Sequence, residues 1–212
     1  DLFANFGFRG IRPFFSRRVG LAEPITAGAR ITGKIGNKWR VGIMDVATRE
    51  LDSLTPAKNY AIAAFQRKVF SSSNIGFIFV NDRVRNMPGS TVTGLEYNLL
   101  SKDNKWVGKA FYQKSISPKI MDRSFAHASF LIFRNTKWRL EWNHEFAGKG
   151  FRAPTGFVPR QRFYDQENKV RVTREFWRLE NSAAYTIYPK SNLLNKTSFI
   201  GYHSSYYDSA QK

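Results

Sequence analysis

The chain has 212 residues, 42% of them hydrophobic, and carries 34 Lys+Arg against 16 Asp+Glu, a formal net charge of +18 at pH 7. The apolar content excludes simple disorder. The absence of cysteine excludes disulfides, thiolate metal sites and cysteine nucleophiles, so the fold rests on packing and hydrogen bonds.

No apolar run approaches the ~18–20 residues a membrane-spanning helix needs; the longest is Ile75 to Val80. A spanning β-barrel leaves no such peak, because lipid-facing and lumen-facing residues alternate. Asp1-Leu2-Phe3 opens without the basic region and apolar core of a secretion signal, which reads either as a protein that is not exported or as a mature or trimmed form, and the missing initiator Met favours the second.

Along the chain the hydrophobic period is two, not 3.6, which predicts strands. In order they cover residues 30–35, 38–46, 59–70, 75–81, 91–99, 106–115, 125–133, 138–146, 170–179, 183–188 and 197–202. The clearest is 138–146, where Trp138, Leu140, Trp142, His144 and Phe146 share one face and Arg139, Glu141, Asn143 and Glu145 share the other. Gly36-Asn37, residues 71–74 and Asn135-Thr136 are short links of the kind that join antiparallel neighbours. Longer polar links at 85–90, 117–122 and 149–154 alternate with them. Residues 45–54 hold a few helix formers that Pro56 stops, so the class is all-β and antiparallel.

The strands run roughly 8–12 residues, longer than the ~5–6 typical of globular sheets and near the ~9–11 of a tilted membrane strand. Trp39, Phe70, Trp106, Trp138 and Tyr188 mark strand ends, as an interfacial girdle does. A soluble sandwich with aromatic core residues fits the same pattern, and periodicity alone leaves the two open.

From Pro13 the chain carries Phe14-Phe15-Ser16-Arg17-Arg18-Val19-Gly20, Pro24-Ile25, Gly28-Ala29-Arg30-Ile31-Thr32-Gly33-Lys34 and Trp39-Arg40-Val41-Gly42-Ile43. Asn59-Tyr60, Ser71-Ser72-Ser73-Asn74-Ile75-Gly76 and Gly156-Phe157-Val158-Pro159-Arg160 follow in order. Over about residues 13–160 it resembles the uncharacterised β-barrel domain that follows a family-9-type carbohydrate-binding domain in large Gram-negative surface proteins. The resemblance implies an outer-membrane β-barrel with a link to glycan capture. The carbohydrate-binding domain itself is missing here and the family's barrel domain is longer, so no sugar role passes to these residues. No catalytic residue is transferred. Arg17 and Arg18, in the most specific block, are the positions it favours for an internal network or ligand contact, and Arg160 closes its last block.

Other motifs point elsewhere less strongly. Gly28 to Lys34 nearly spells a phosphate-binding loop, but Ile35 stands where the Mg²⁺-holding Ser or Thr belongs, and no helix follows. Glu141 and Glu145 share a face, yet four strand residues separate them by about 13 Å, beyond the roughly 5–9.5 Å of glycosidase pairs. His127, His144 and His203 are scattered, so neither a metal nor any other cofactor is expected, and no nucleophile turn appears. The sequon Asn195-Lys196-Thr197 carries little weight in a bacterial setting.

The basic excess and aromatic richness also fit a soluble nucleic-acid-binding domain. Its arginines are spread along the whole chain rather than clustered, which disfavours nucleic acid as a partner. In a barrel, Arg139 and its counterparts point inward to Glu96, Glu141 or Glu145, or meet anions such as lipopolysaccharide phosphates at the rim. Residues 165–180, with Arg171, Arg174, Glu175, Arg178 and Glu180, read as a solvated hairpin. The expectation is one domain over residues 1–212: an antiparallel up-and-down transmembrane β-barrel, complete and small or part of a larger one. It sits in the outer membrane of a Gram-negative bacterium. It acts as a scaffold, docking or glycan-associated component beside lipid or other membrane-complex subunits, not as an enzyme.

Overall fold

Alternating β-branched and aromatic residues, punctuated by turn formers, make ten long strands here. The computed structural model describes residues 2–8, 10–52, 55–85, 87–118, 122–158 and 161–208. The strands are β1 (Ile25–Ile35), β2 (Trp39–Thr48), β3 (Lys58–Val69), β4 (Ser73–Val84), β5 (Ser90–Leu100), β6 (Trp106–Ile116), β7 (Phe125–Arg134) and β8 (Trp138–Ala147). A small hairpin, β9 (Arg162–Asp165) and β10 (Val170–Thr173), precedes β11 (Phe176–Ile187) and β12 (Thr197–Asp208). One sheet takes them in the order β1 to β8, then β11 and β12, and every pairing is antiparallel. The all-β, up-and-down expectation therefore holds. Ring closure is not formed: among the described residues no ladder joins β1 to β12, and each pairs on one side only.

The links differ at the two ends. Residues 36–38, 70–72, 101–105 and 135–137 turn the chain at one end, with the longer 188–196 beside them. Residues 49–57, 85–89, 117–124 and 148–175 connect strands at the other. Gly36, at φ 58°, takes the left-handed conformation its tight turn needs.

Two expectations are corrected. Residues 170–179 are not one strand: β10 ends at Thr173, where the chain leaves the small hairpin and the Arg174 amide donates to the Gln161 carbonyl. From Phe176 the chain joins the main sheet and continues through Ile187, because the ladder partners of β8 extend across polar Glu180, Asn181 and Ser182. Polarity at those positions hides a strand that cross-strand hydrogen bonds sustain.

Residues 2–14, which carry no periodic signal, supply much of the core. Leu2, Phe3, Phe6, Ile11 and Phe14 are buried with Tyr60, Ile62, Ile78, Val80, Val92 and Phe111 of the sheet, and Phe151 joins them from the β8–β9 link. Arg12 and Phe157 exchange both backbone hydrogen bonds, and the Phe15 amide donates to the Thr155 carbonyl. These segments define an inner face. Glycines admit them: a Cβ on Gly42 lies 2.8 Å from the Phe3 ring, and one on Gly76 lies 3.0 Å from the Phe6 ring.

The sheet curls around this insert. Arg30 of β1 lies over the Phe3 ring at 5.1 Å, while Phe8 stacks on Phe130 of β7 at 4.6 Å. Residues of β1, β4 and β7 thus meet one short segment, residues 3–8, on the same face of the sheet.

Candidate functional site: the two faces of the curled sheet

Following ladder partners from strand to strand traces one outer row. It runs Gly33, Val41, Phe65, Phe77, Leu95, Tyr112, His127, Phe146, Trp177 and Tyr207, with no charged residue. Leu95, at 58% exposed, is bare although it sits mid-strand. All five tryptophans, Trp39, Trp106, Trp138, Trp142 and Trp177, share the parity of this face. Trp39, Trp106 and Trp138 stand where β2, β6 and β8 leave the short turns. Trp106 packs on Phe133 at 4.8 Å and Trp138 on Tyr185 at 4.6 Å. Expected strand-end aromatics thus gather at one end of the sheet.

The same row measures the strand tilt. Gly33 stands two residues from the short-turn end of β1, and Tyr207 stands ten from the corresponding end of β12. A stagger of eight residues over nine strand spacings corresponds to a tilt of about 30°, close to the roughly 35–45° of barrels.

The inner face carries buried charge, most of it paired; the exception among the described residues is Asp82 of β4, buried with its Oδ1 lacking a hydrogen-bond partner. The Glu145 side chain, 1% exposed, accepts a hydrogen bond from Arg178 Nη2 at 2.7 Å. Arg178 also lies 3.5 Å from Glu180, which accepts from the Tyr206 hydroxyl at 2.6 Å and from Asn143 at 3.1 Å. Arg178 is therefore not part of a solvated hairpin; β11 places it in the core beside β8. Glu96, on β5, accepts from Lys109 Nζ at 3.2 Å, from Asn98 at 2.8 Å and from the Gly7 amide at 3.2 Å, which ties residues 2–14 to the sheet. Lys109 donates to the Asn5 and Gly7 carbonyls as well. Toward the long-loop end, Lys58 pairs with Glu23, which also accepts from the Tyr60 hydroxyl. Burial pushes the Glu23 carboxyl up, but hydrogen bonds from Lys58 and Tyr60 and the nearby ammonium outweigh it and hold the group below its ordinary value.

The singled-out residues do not converge. Arg139 donates to Glu141 at 2.6 Å at the exposed start of β8, while Glu145 lies deep in the same strand and pairs with Arg178 instead. Arg17 and Arg18 occupy a 3₁₀ turn, Ser16–Arg18, at the long-loop end, where Arg18 lines a small cavity with Phe151 and Phe157. Arg160 lies outside the described residues. Missed by sequence reading were Glu23, Lys58, Lys109 and the role of Arg178. Each pairs across strands or with a loop, so local spacing carries no trace of it.

On the outer face the His127 and His144 rings stack at 5.0 Å, and Trp177 Nε1 donates to His144 Nε2 at 2.6 Å. Among the described residues no three His, Asp or Glu side chains gather as metal ligands, and no helix is long and apolar enough to cross a membrane. The class thus defined is a single up-and-down antiparallel sheet with a charged, occupied inner face and an apolar outer one. Compared with known proteins, the chain matches no family model, no curated protein and no solved structure.

Proposed function

We propose that this chain forms ten strands in the wall of a Gram-negative outer-membrane β-barrel and serves as a scaffold or docking component. The observation that carries the reading is the uncharged outer row with all five tryptophans on its face. Contiguous apolar patches of this extent are rare on soluble monomers. In lipid every backbone group must find its partner within the protein, which closed barrels achieve. The tilt and the asymmetry of links fit the same class. The filled inner face favours docking over conduction. The resemblance over residues 13–160 supports this reading, and a glycan association rests on it alone.

Ten strands at a tilt of about 30° close on a radius of about 9 Å, which inward side chains alone nearly fill. Residues 2–14 and the Phe151 loop also occupy this space, so the sheet belongs to a wider ring, with further strands beyond β1 and β12.

The chain has no native cysteine, which makes one experiment decisive for both points. Ile31→Cys is combined in turn with Thr197→Cys, Phe199→Cys and Gly201→Cys, all on the outer face at registers that direct β1–β12 closure uses. The expected result is recovery in the outer-membrane fraction, release only by detergent, and no disulfide within one chain. Recovery without detergent contradicts the membrane reading, and a disulfide contradicts the wider ring.

A further inference from the structure

At the short-turn mouth of the inner face, two adjoining cavities of about 370 and 350 Å³ share Arg40, Gln66, Ser72 and Asn74. The ladders build them. Lys34 pairs with Arg40 and Arg40 with Gln66; one row nearer the mouth, Lys68 pairs with Asn74 and Asn74 with Asn98. Lys38 adds a further ammonium from the first turn. Among the described residues no carboxylate pairs with Lys34, Lys38, Arg40 or Lys68.

The acceptors nearby are already engaged. Gln66 Oε1 accepts from Arg40 at 3.4 Å, and Asn74 Oδ1 accepts from Asn98 at 2.8 Å. Glu96, the one carboxylate on the wall, is held by Lys109, Asn98 and the Gly7 amide. Donors dominate what lines the space: the Gln66 and Asn74 amide nitrogens, a guanidinium and three ammonium groups. Gln66, only 6% exposed, is fixed in place at the back of the cavity. The opposite end differs, since Lys58 there meets the carboxylate of Glu23. A wall rich in donors, with four cations that no described carboxylate pairs with and its one described carboxylate already engaged, recognises an anion, and two joined cavities admit more than one anionic group.

We propose that this mouth binds a compact polyanion bearing at least two phosphate, sulfate or carboxylate groups. The site stands on the inner face and does not depend on what surrounds the outer one. The test is calorimetric titration of the purified, folded chain with tripolyphosphate, and with inorganic phosphate for comparison. Saturable binding of tripolyphosphate is expected, with inorganic phosphate weaker by about tenfold or more, since it reaches fewer charge-assisted donors. The variant Lys34→Gln/Arg40→Gln/Lys68→Gln is expected to lose about tenfold or more in affinity. Lys102→Gln/Lys137→Gln/Lys190→Gln removes equal charge from other turns at the same end and is expected to stay within about twofold. Native tryptophan emission confirms that both variants fold, as exposed lysines and arginine predict. Equal weakening by the two sets, or no saturable binding, overturns the proposal.

Discussion

Arg178→Ala is expected to destabilise the chain by about 3–5 kcal/mol, the cost of removing one partner of a buried ion pair. The Arg178 and Glu145 side chains are 7% and 1% exposed, and the 2.7 Å bond between them joins β11 to β8 across a long excursion of the chain. Without the guanidinium, Glu145 keeps its desolvation while losing its strongest counterpart. Glu180 loses a neighbour at 3.5 Å and Tyr206 a cation near its ring. The attraction within a buried pair roughly offsets its desolvation, so Glu145→Leu/Arg178→Met is expected to recover most of the loss. Urea unfolding followed by tryptophan emission reads both. A loss under about 1 kcal/mol for the single variant places the pair in solvent-like surroundings and removes it from the core.

Leu95→Arg carries the second large effect, and its size depends on what touches the outer face. Leu95 lies midway along β5, between Phe77 and Tyr112 in the uncharged row. On a water-exposed sheet a substitution at a 58% exposed position changes stability by no more than about 0.5 kcal/mol. At the midplane of a bilayer an arginine on a barrel strand costs about 2–4 kcal/mol. Refolding into phosphatidylcholine vesicles over a urea series is expected to show the larger figure. The smaller one, in vesicles, speaks for a wet outer face.

Much of the wall is legible in the sequence, because one face of each strand differs from the other. The alternation in 138–146 and 91–99 finds β8 and β5 to within a residue or so at each end. β1 is harder: Thr26, Ala27, Gly28 and Ala29 offer no apolar contrast, and its first turn carries a bulge after Ile25. Residues 2–14 are illegible as core, since Phe3, Phe6 and Ile11 owe their burial to the sheet that curls over them and not to any local period. The candidate ion pairs divide the same way. Arg139 and Glu141 sit two residues apart and can be read together, whereas Glu145 finds Arg178 thirty-three residues away. Lys34, Arg40 and Lys68 look like scattered charge until the register sets them side by side.

With the five tryptophans sharing the outer face, their emission in reconstituted vesicles reports its surroundings without any substitution. Lipids brominated along the acyl chain are expected to quench most of that emission, and aqueous iodide little of it. Emission indifferent to the brominated chains and extinguished by iodide contradicts a sheet whose apolar side rests against lipid.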